Sequence, residues 1–198
     1  MALPSTDYIG AGTPNISVTG GALSGPLGSA VPTTAAATID AAIHPLGYVS
    51  EDGLEPQGER TANAVRDWMG DVIAQLQTEH TVRFGLTLYG YWDQDVLNEV
   101  FGEGNVEVTA EATPTSGRQI TVLETGSVLP NRVWIFDMKT GDKKLRIVMP
   151  NATVTEVTAR PLVAGELAGY QIVVEAFKDN AGVKAYRYYD DGVFDSGS

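Results

Sequence analysis

None of the 198 residues is cysteine, which excludes disulfides, thiolate metal sites and a cysteine nucleophile. Histidine is almost as scarce. His44 sits just before Pro45 and His80 at an expected turn, and two histidines cannot build a three-histidine metal centre. No run of about 18 apolar residues occurs, so no segment reads as a bilayer-spanning helix. The opening "MALPSTDYIGAG" has neither the basic stretch nor the apolar core of a secretory signal, and a soluble chain with no membrane partner is expected. Lys and Arg are missing from Met1 to Glu59, a span that holds Asp7, Asp40, Glu51, Asp52, Glu55 and Glu59. That span carries half of the net charge of −12. The densest basic run is Lys143-Lys144 with Arg146, too little to neutralise a phosphate backbone, so stable nucleic-acid binding is disfavoured.

What is present is enough apolar residue for a core: 43% of the chain. The first 36 residues are mostly Gly, Pro, Ser, Thr and Ala, with isolated apolar residues such as Ile16, Val18, Leu23 and Leu27 spaced among them. Such a composition buries little surface by itself. It reads as an extended arm, residues 1–38, that either stays free or orders against a partner. One domain, residues 39–198, is expected to follow, and removal of about the first 35 residues is expected to leave a folded core.

In "TIDAAIHPLGYV", Ile39, Ala42 and Ile43 suit a short helical turn that Pro45 stops. "VRFGLTLYGY" alternates Val82, Phe84, Leu86 and Leu88 with polar or small residues, the period of a half-buried strand. "DVIAQLQ" puts Val72, Ala74 and Leu76 on one face and is expected to be its hairpin partner, with a helix over residues 63–77 as the competitor. "DQDVLNEVFG" predicts a helix: Asp93 or Asp95 caps it, Val96, Leu97, Val100 and Phe101 form its stripe, and Gly102 ends it. Strands then follow in quick succession: "VEVTAEA", "QITVLET", "RVWIFDM", "LRIVMP", "TVTEVTA", "GYQIVVEAFKD" and "KAYRYYDD". The fold class is mainly β, a sandwich or barrel with one helix.

The only chemistry the residues suggest lies in carboxylate pairs: Glu51-Asp52, Asp93/Asp95 and Asp190-Asp191. Asp93 and Asp95 suit a helix N-terminus, and Asp190-Asp191-Gly192 suits a turn. No calcium-loop spacing, phosphate loop or nucleophile elbow is present, so no catalytic residue, metal ligand or cofactor is assigned. "GYVSEDGLEPQGER", residues 47–60, remains as an acidic stretch between arm and first hairpin. Gly47, Gly53 and Pro56 are expected to shape it.

The order of elements resembles a known family. "PLGYVSEDGL" follows the "TIDAAI" turn; then comes "VRDWMGDVIAQLQTEHTVRFGLTL", with Trp68 before Gly70-Asp71, and a helix ending in aromatic-Gly. This succession, over residues 39–177, resembles the major tail (tail tube) proteins of phages with long, non-contractile tails, especially those infecting actinobacteria. The resemblance implies a tail-tube-type β-sandwich with one flanking helix and an extended N-terminal arm, located in the virion after synthesis in the host cytoplasm. It further implies hexameric rings stacked into a tube through which DNA passes without specific binding. Partners would be other copies of the chain and the tail terminator, tape measure and distal tail proteins. No enzymatic residues come with it. By position, the subunit interface would include Tyr48, Val49, Ser50, Glu51, Asp52, Leu54, Glu55, Pro56, Arg60 and Trp68. Three rival readings fit the residues themselves: a glycan- or receptor-binding β-sandwich module, a tube component of a non-viral injection system, and a small hydrolase using a carboxylate pair.

Overall fold

The computed structural model describes residues 10–15, 21–110 and 117–193. In chain order its elements are β1 (Ala22–Pro26), β2 (His44–Pro45), β3 (Glu55–Pro56), β4 (Arg60–Arg66), β5 (Val72–His80) and β6 (Arg83–Leu88). Helix α1 (Gln94–Phe101) follows, then β7 (Val106–Thr109), β8 (Gln119–Val122), β9 (Arg132–Thr140), β10 (Lys143–Ala159), β11 (Tyr170–Ala176) and β12 (Tyr186–Asp190). The protein is mainly β, as its sequence predicts. One antiparallel sheet runs in the order β2-β1-β9-β10-β11-β6-β3, with β12 also paired to β10. Two further sheets, β4–β5 and β7–β8, have two strands each.

"RVWIFD" is apolar without alternation because both faces of β9 are covered. Trp134 and Phe136 enter the principal core with Phe84, Leu86 and Leu88 of β6 and Ile172 and Val174 of β11, capped by Val96, Leu97 and Val100 of α1. Val133 and Ile135 face the other way, into a smaller cluster with Leu23, Ile43 and Val148 that Val31 and Ile39 help to cover. A buried ion pair fixes that cover. The Arg146 guanidinium donates to Asp137 at 2.9 Å and also to the carbonyls of Ala37 at 2.6 Å and Thr34 at 3.3 Å. Helix α1 begins as expected: Asp93 is the cap, its Oδ1 accepting from the Asp95 N–H at 3.0 Å. Its Gly102 end also holds.

Four expectations are corrected. The arm does not extend to residue 38. Ala22–Pro26 pairs with β9 along its whole length, and Ala22, Leu23 and Ser24 are buried. Residues 13–15 continue the same line, with Pro14 bridging Met138 and Lys139 donating to the Thr13 carbonyl. Small residues are used there because space is short: a Cβ on Gly25 would lie 2.8 Å from Ile43 Cγ1. Residues 1–9 and 16–20 of the expected arm lie outside the described residues. Second, "LRIVMP" and "TVTEVTA" are one strand, β10, of 17 residues. Its first half pairs β9 and β12 and its second half pairs β11, with register shifts between Met149 and Ala152, across Pro150, and between Val154 and Glu156. Proline has no N–H for the ladder, and the irregularity lets one strand turn and serve both parts of the sheet. Third, β5 does not pair with β6. It pairs with β4, from Arg60↔His80 to Arg66↔Val72. Fourth, "VEVTAEA" and "QITVLET" form shorter strands, β7 and β8; the end of the first falls partly outside the described residues.

The third correction has a simple geometry. β3 pairs β6 at Glu55↔Gly85 and Pro56↔Phe84. Gln57 donates to the Arg83 carbonyl, Thr81 to the Glu59 carbonyl, and the β4–β5 ladder then begins. Residues 55–66 and 72–88 are therefore the two arms of one long hairpin. Its base belongs to the main sheet and its outer part leaves it. β5 and β6 lie end to end on the same arm, which alternation along the sequence cannot distinguish from two facing strands. The arms pass closely at the neck, where a Cβ on Gly58 would sit 2.7 Å from the Thr81 carbonyl oxygen.

Candidate assembly interface

Every residue from Glu55 to His80 is exposed. Polar residues would make this an ordinary solvated hairpin, yet Val65, Val72, Ile73 and Leu76 stand along it and Trp68 and Met69 at its tip, Trp68 wholly exposed. A strand rise of about 3.3 Å per residue carries the tip roughly 25–30 Å from the neck at Glu59. The tip is an ordered turn. Asp67 Oδ1 accepts from the N–H groups of Met69 and Asp71, both at 2.9 Å, and the Arg66 guanidinium donates to the Gly70 carbonyl at 2.8 Å. Gly70, at φ +92°, adopts the left-handed backbone the turn requires. Trp68 is thereby held outward by backbone geometry rather than by packing.

The structure divides the sequence-derived interface residues into two groups. Val49, Ser50 and Leu54 are anchors within the subunit. Val49 bridges Leu88, Ser50 is buried with its N–H on the Thr87 carbonyl, and Leu54 packs against the principal core. Tyr48, Glu51, Asp52, Glu55, Pro56, Arg60 and Trp68 are exposed. Asp52 accepts from the Ser50 hydroxyl at 3.2 Å across a turn closed by Gly53, whose φ is +70°. The two groups lie along one path, from the 48–54 turn through the neck to the tip. Sequence reasoning missed the apolar residues between neck and tip. Their signal is present in "VIAQL", the expected hairpin partner of residues 82–88, but nothing in a sequence says whether its apolar face is covered by its own chain.

Exposed apolar side chains also occur elsewhere on the described residues. The β10–β11 connection shows Leu162, Val163 and Leu167, and the segment before α1 shows Trp92. In the C-terminal carboxylate pair, Asp190 and Asp191 accept from the N–H groups of Gly192 and Val193. Among the described residues no three His, Asp or Glu side chains converge as metal ligands. Nor is any helix of the described residues long and apolar enough to cross a membrane. The acid that stands out is Glu99 of α1, which is buried and reaches Arg132 of β9 at 2.8 Å. Burial raises its pKa to about 7, with the Arg132 guanidinium opposing and the nearby Asp95 and Glu103 assisting.

Among the described residues the protein is a nearly all-β body with one α-helix and a hairpin that exposes apolar side chains. The phage tail tube protein family matches residues 2–194, and the chain belongs to that family. Among solved structures, it is similar to the tube-terminating cap of the anti-feeding prophage at 12% identity. That similarity covers 92% of this chain and 95% of that one, with a TM-score of 0.46. The sheath/tube terminator of an extracellular contractile injection system, PVC, is similar at 10% identity, covering 71% and 86%, with a TM-score of 0.41. An Hcp protein is similar at 11% identity, covering 84% and 96%, with a TM-score of 0.31. No curated protein sequence matches the chain.

Proposed function

We propose that this chain is the major tail tube subunit of a phage with a long, non-contractile tail, of the kind that infects actinobacteria. It self-assembles into hexameric rings that stack into a tube, and the genome passes through the lumen. The observation that carries the reading is the β4–β5 hairpin. A two-stranded hairpin is marginal alone in water, and this one exposes Trp68, Met69, Ile73 and Leu76. In a chain of the tail tube family, neighbouring copies are its natural cover. Tyr48, Glu51, Asp52, Glu55, Pro56, Arg60 and Trp68 form the contact surface, with Val49, Ser50 and Leu54 holding it to the body. The terminator, the tape measure protein and the distal tail proteins meet the tube at its ends and within it. The protein acts as structure and not as an enzyme, and its net charge of −12 keeps DNA from adhering.

Electron microscopy of the purified protein at rising concentration tests the proposal. Rings or tubes with a central channel are expected. A chain that stays monomeric at every concentration, with or without the other tail proteins, overturns it. Trp68→Ala is expected to leave the melting temperature within a degree or two, because the side chain touches nothing in the subunit, and to raise the concentration needed for tubes at least tenfold. Equal assembly by the variant removes Trp68 from the interface.

A further inference from the structure

The groove between β8 and the start of α1 joins aromatic rings to polar side chains. It encloses about 880 Å³. Tyr91 lies parallel to Tyr170 with ring centroids 5.0 Å apart, and Phe101 meets Tyr170 edge-on at 5.6 Å. Trp92 stands at 78° to the Tyr91 ring, 5.9 Å away, and is 85% exposed. The turn into α1 sets it there: Asp93 caps the helix and donates its own N–H to the Gly90 carbonyl. An indole is thereby held upright beside a flat aromatic floor. The β8 side adds polar groups. Arg118 donates to Gln94 Oε1 at 3.3 Å, and Gln119 and Glu124 line the same groove.

A pyranose ring has the complementary make-up. One face presents C–H groups, which sit well on the electron-rich face of an indole or phenol, and the rim carries hydroxyls in adjacent pairs. Guanidinium, amide and carboxylate groups are planar and place two donors or acceptors side by side, which suits adjacent hydroxyls. We propose that this groove binds a neutral oligosaccharide, with Trp92 and Tyr91 stacking on sugar faces and Arg118, Gln119 and Glu124 bonding the hydroxyls. Charge selects the class. Among the described residues that line it, the groove holds one base, Arg118, and one acid, Glu124, so it is balanced for an uncharged chain. The net charge of −12 turns acidic polysaccharides away. The four residues of β8, at about 3.3 Å each, make the groove roughly 13 Å long, room for several linked sugars rather than one. The site belongs to a single subunit. Its multiplication along a tube rests on the assembly reading, and many weak sites on one particle would hold that particle to a polysaccharide surface.

Cellohexaose, xylohexaose and maltohexaose, titrated separately into the full-length free subunit and followed by calorimetry, test the site. A dissociation constant of about 1 mM or tighter is expected for at least one of them. Trp92→Ala is expected to weaken that binding at least tenfold and to leave circular dichroism and melting temperature unchanged, because the ring lies outside the core. Arg118→Ala and Glu124→Gln are each expected to weaken it severalfold, and a hexamer of galacturonic acid is expected not to bind. No binding of any neutral hexamer, equal binding by Trp92→Ala, or preference for the acidic hexamer each overturns the proposal. Binding of deca-proline in place of the sugars overturns it too and makes the groove a peptide site. Passage over cellulose, xylan and amylose columns reads the assembled form, and tubes are expected to be retained on the column that matches the bound hexamer. Tubes that form yet pass through all three overturn the surface-holding role. A chain that binds a hexamer but never forms tubes overturns the assembly reading and leaves the groove's ligand standing.

Discussion

Glu99 shows how a single residue ties a charge to a packing problem. Its carboxylate is buried between α1 and β9, and burial outweighs the Arg132 partner, so its pKa rises to about 7 from an ordinary value of 4.5. The protonated form is therefore favoured by folding. The stability this contributes is complete below about pH 4.5 and is lost as the pH rises through about 7. Roughly 3 kcal/mol is at stake across that window. Glu99→Gln is expected to flatten the decline in stability between pH 5 and 8, measured by urea denaturation at successive pH values; a slope equal to the wild type's would show that other groups set it. Arg146 illustrates the opposite difficulty in reading a sequence. Beside Lys143 and Lys144 it looks like part of a solvated basic run, yet it is 4% exposed, pairs with Asp137 and clamps the 34–37 loop by its carbonyls. Only the strand register separates it from its neighbours, and alternation over the first few residues of β10 is too weak a signal to reveal it. Asp137→Asn leaves a buried guanidinium without its counter-charge and is expected to cost about 3–5 kcal/mol, read from the denaturation midpoint.

At the scale of elements, what was legible was what repeats or punctuates. The helix was visible from Asp93 and Gly102 at its ends and from its apolar stripe between them. β6 was visible from its alternation, and β9 and β11 from their apolar runs. β1 was not, because "ALSGP" has neither β-branched residues nor alternation; its strand character comes wholly from β9 beside it. The consequence reverses the expectation from composition. Deleting residues 1–9 is expected to leave the fold intact. Deleting residues 1–35 removes β1, opens the edge of β9 and strips part of the cover from Val133 and Ile135, and should give aggregated or unfolded protein. Circular dichroism and gel filtration of the two truncations separate these outcomes; a soluble, folded 1–35 deletion would show β1 to be dispensable. The candidate interface was half legible. Trp68 and the 48–56 stretch stood out as unusual, but the exposed strand between them was indistinguishable from a core strand.

For the whole molecule, charge and apolar surface act against each other. Copies of a chain with net charge −12 repel at long range, while the hairpin, the 160–169 loop and Trp92 offer apolar contact at short range. Salt screens the first and leaves the second almost untouched. Raising ionic strength from about 0.05 to 0.5 M is therefore expected to lower the concentration at which tubes form, followed by light scattering. Tubes that dissolve in salt would mean that ion pairs rather than apolar contacts hold them.

The neck at Gly58 and Thr81 has a mechanical meaning. Because β5 runs directly into β6, a pull on Trp68 does not strain a flexible tether. It arrives along the backbone of β6, a strand held on one side by β3 and on the other by six residue pairs to β11, with Arg83 tied to Glu175 at 2.8 Å at the point of entry. Force along that axis loads the rungs of the ladder together, in shear, and they share it; peeling would break them singly. The protruding hairpin is thus a lever whose fulcrum lies inside the core.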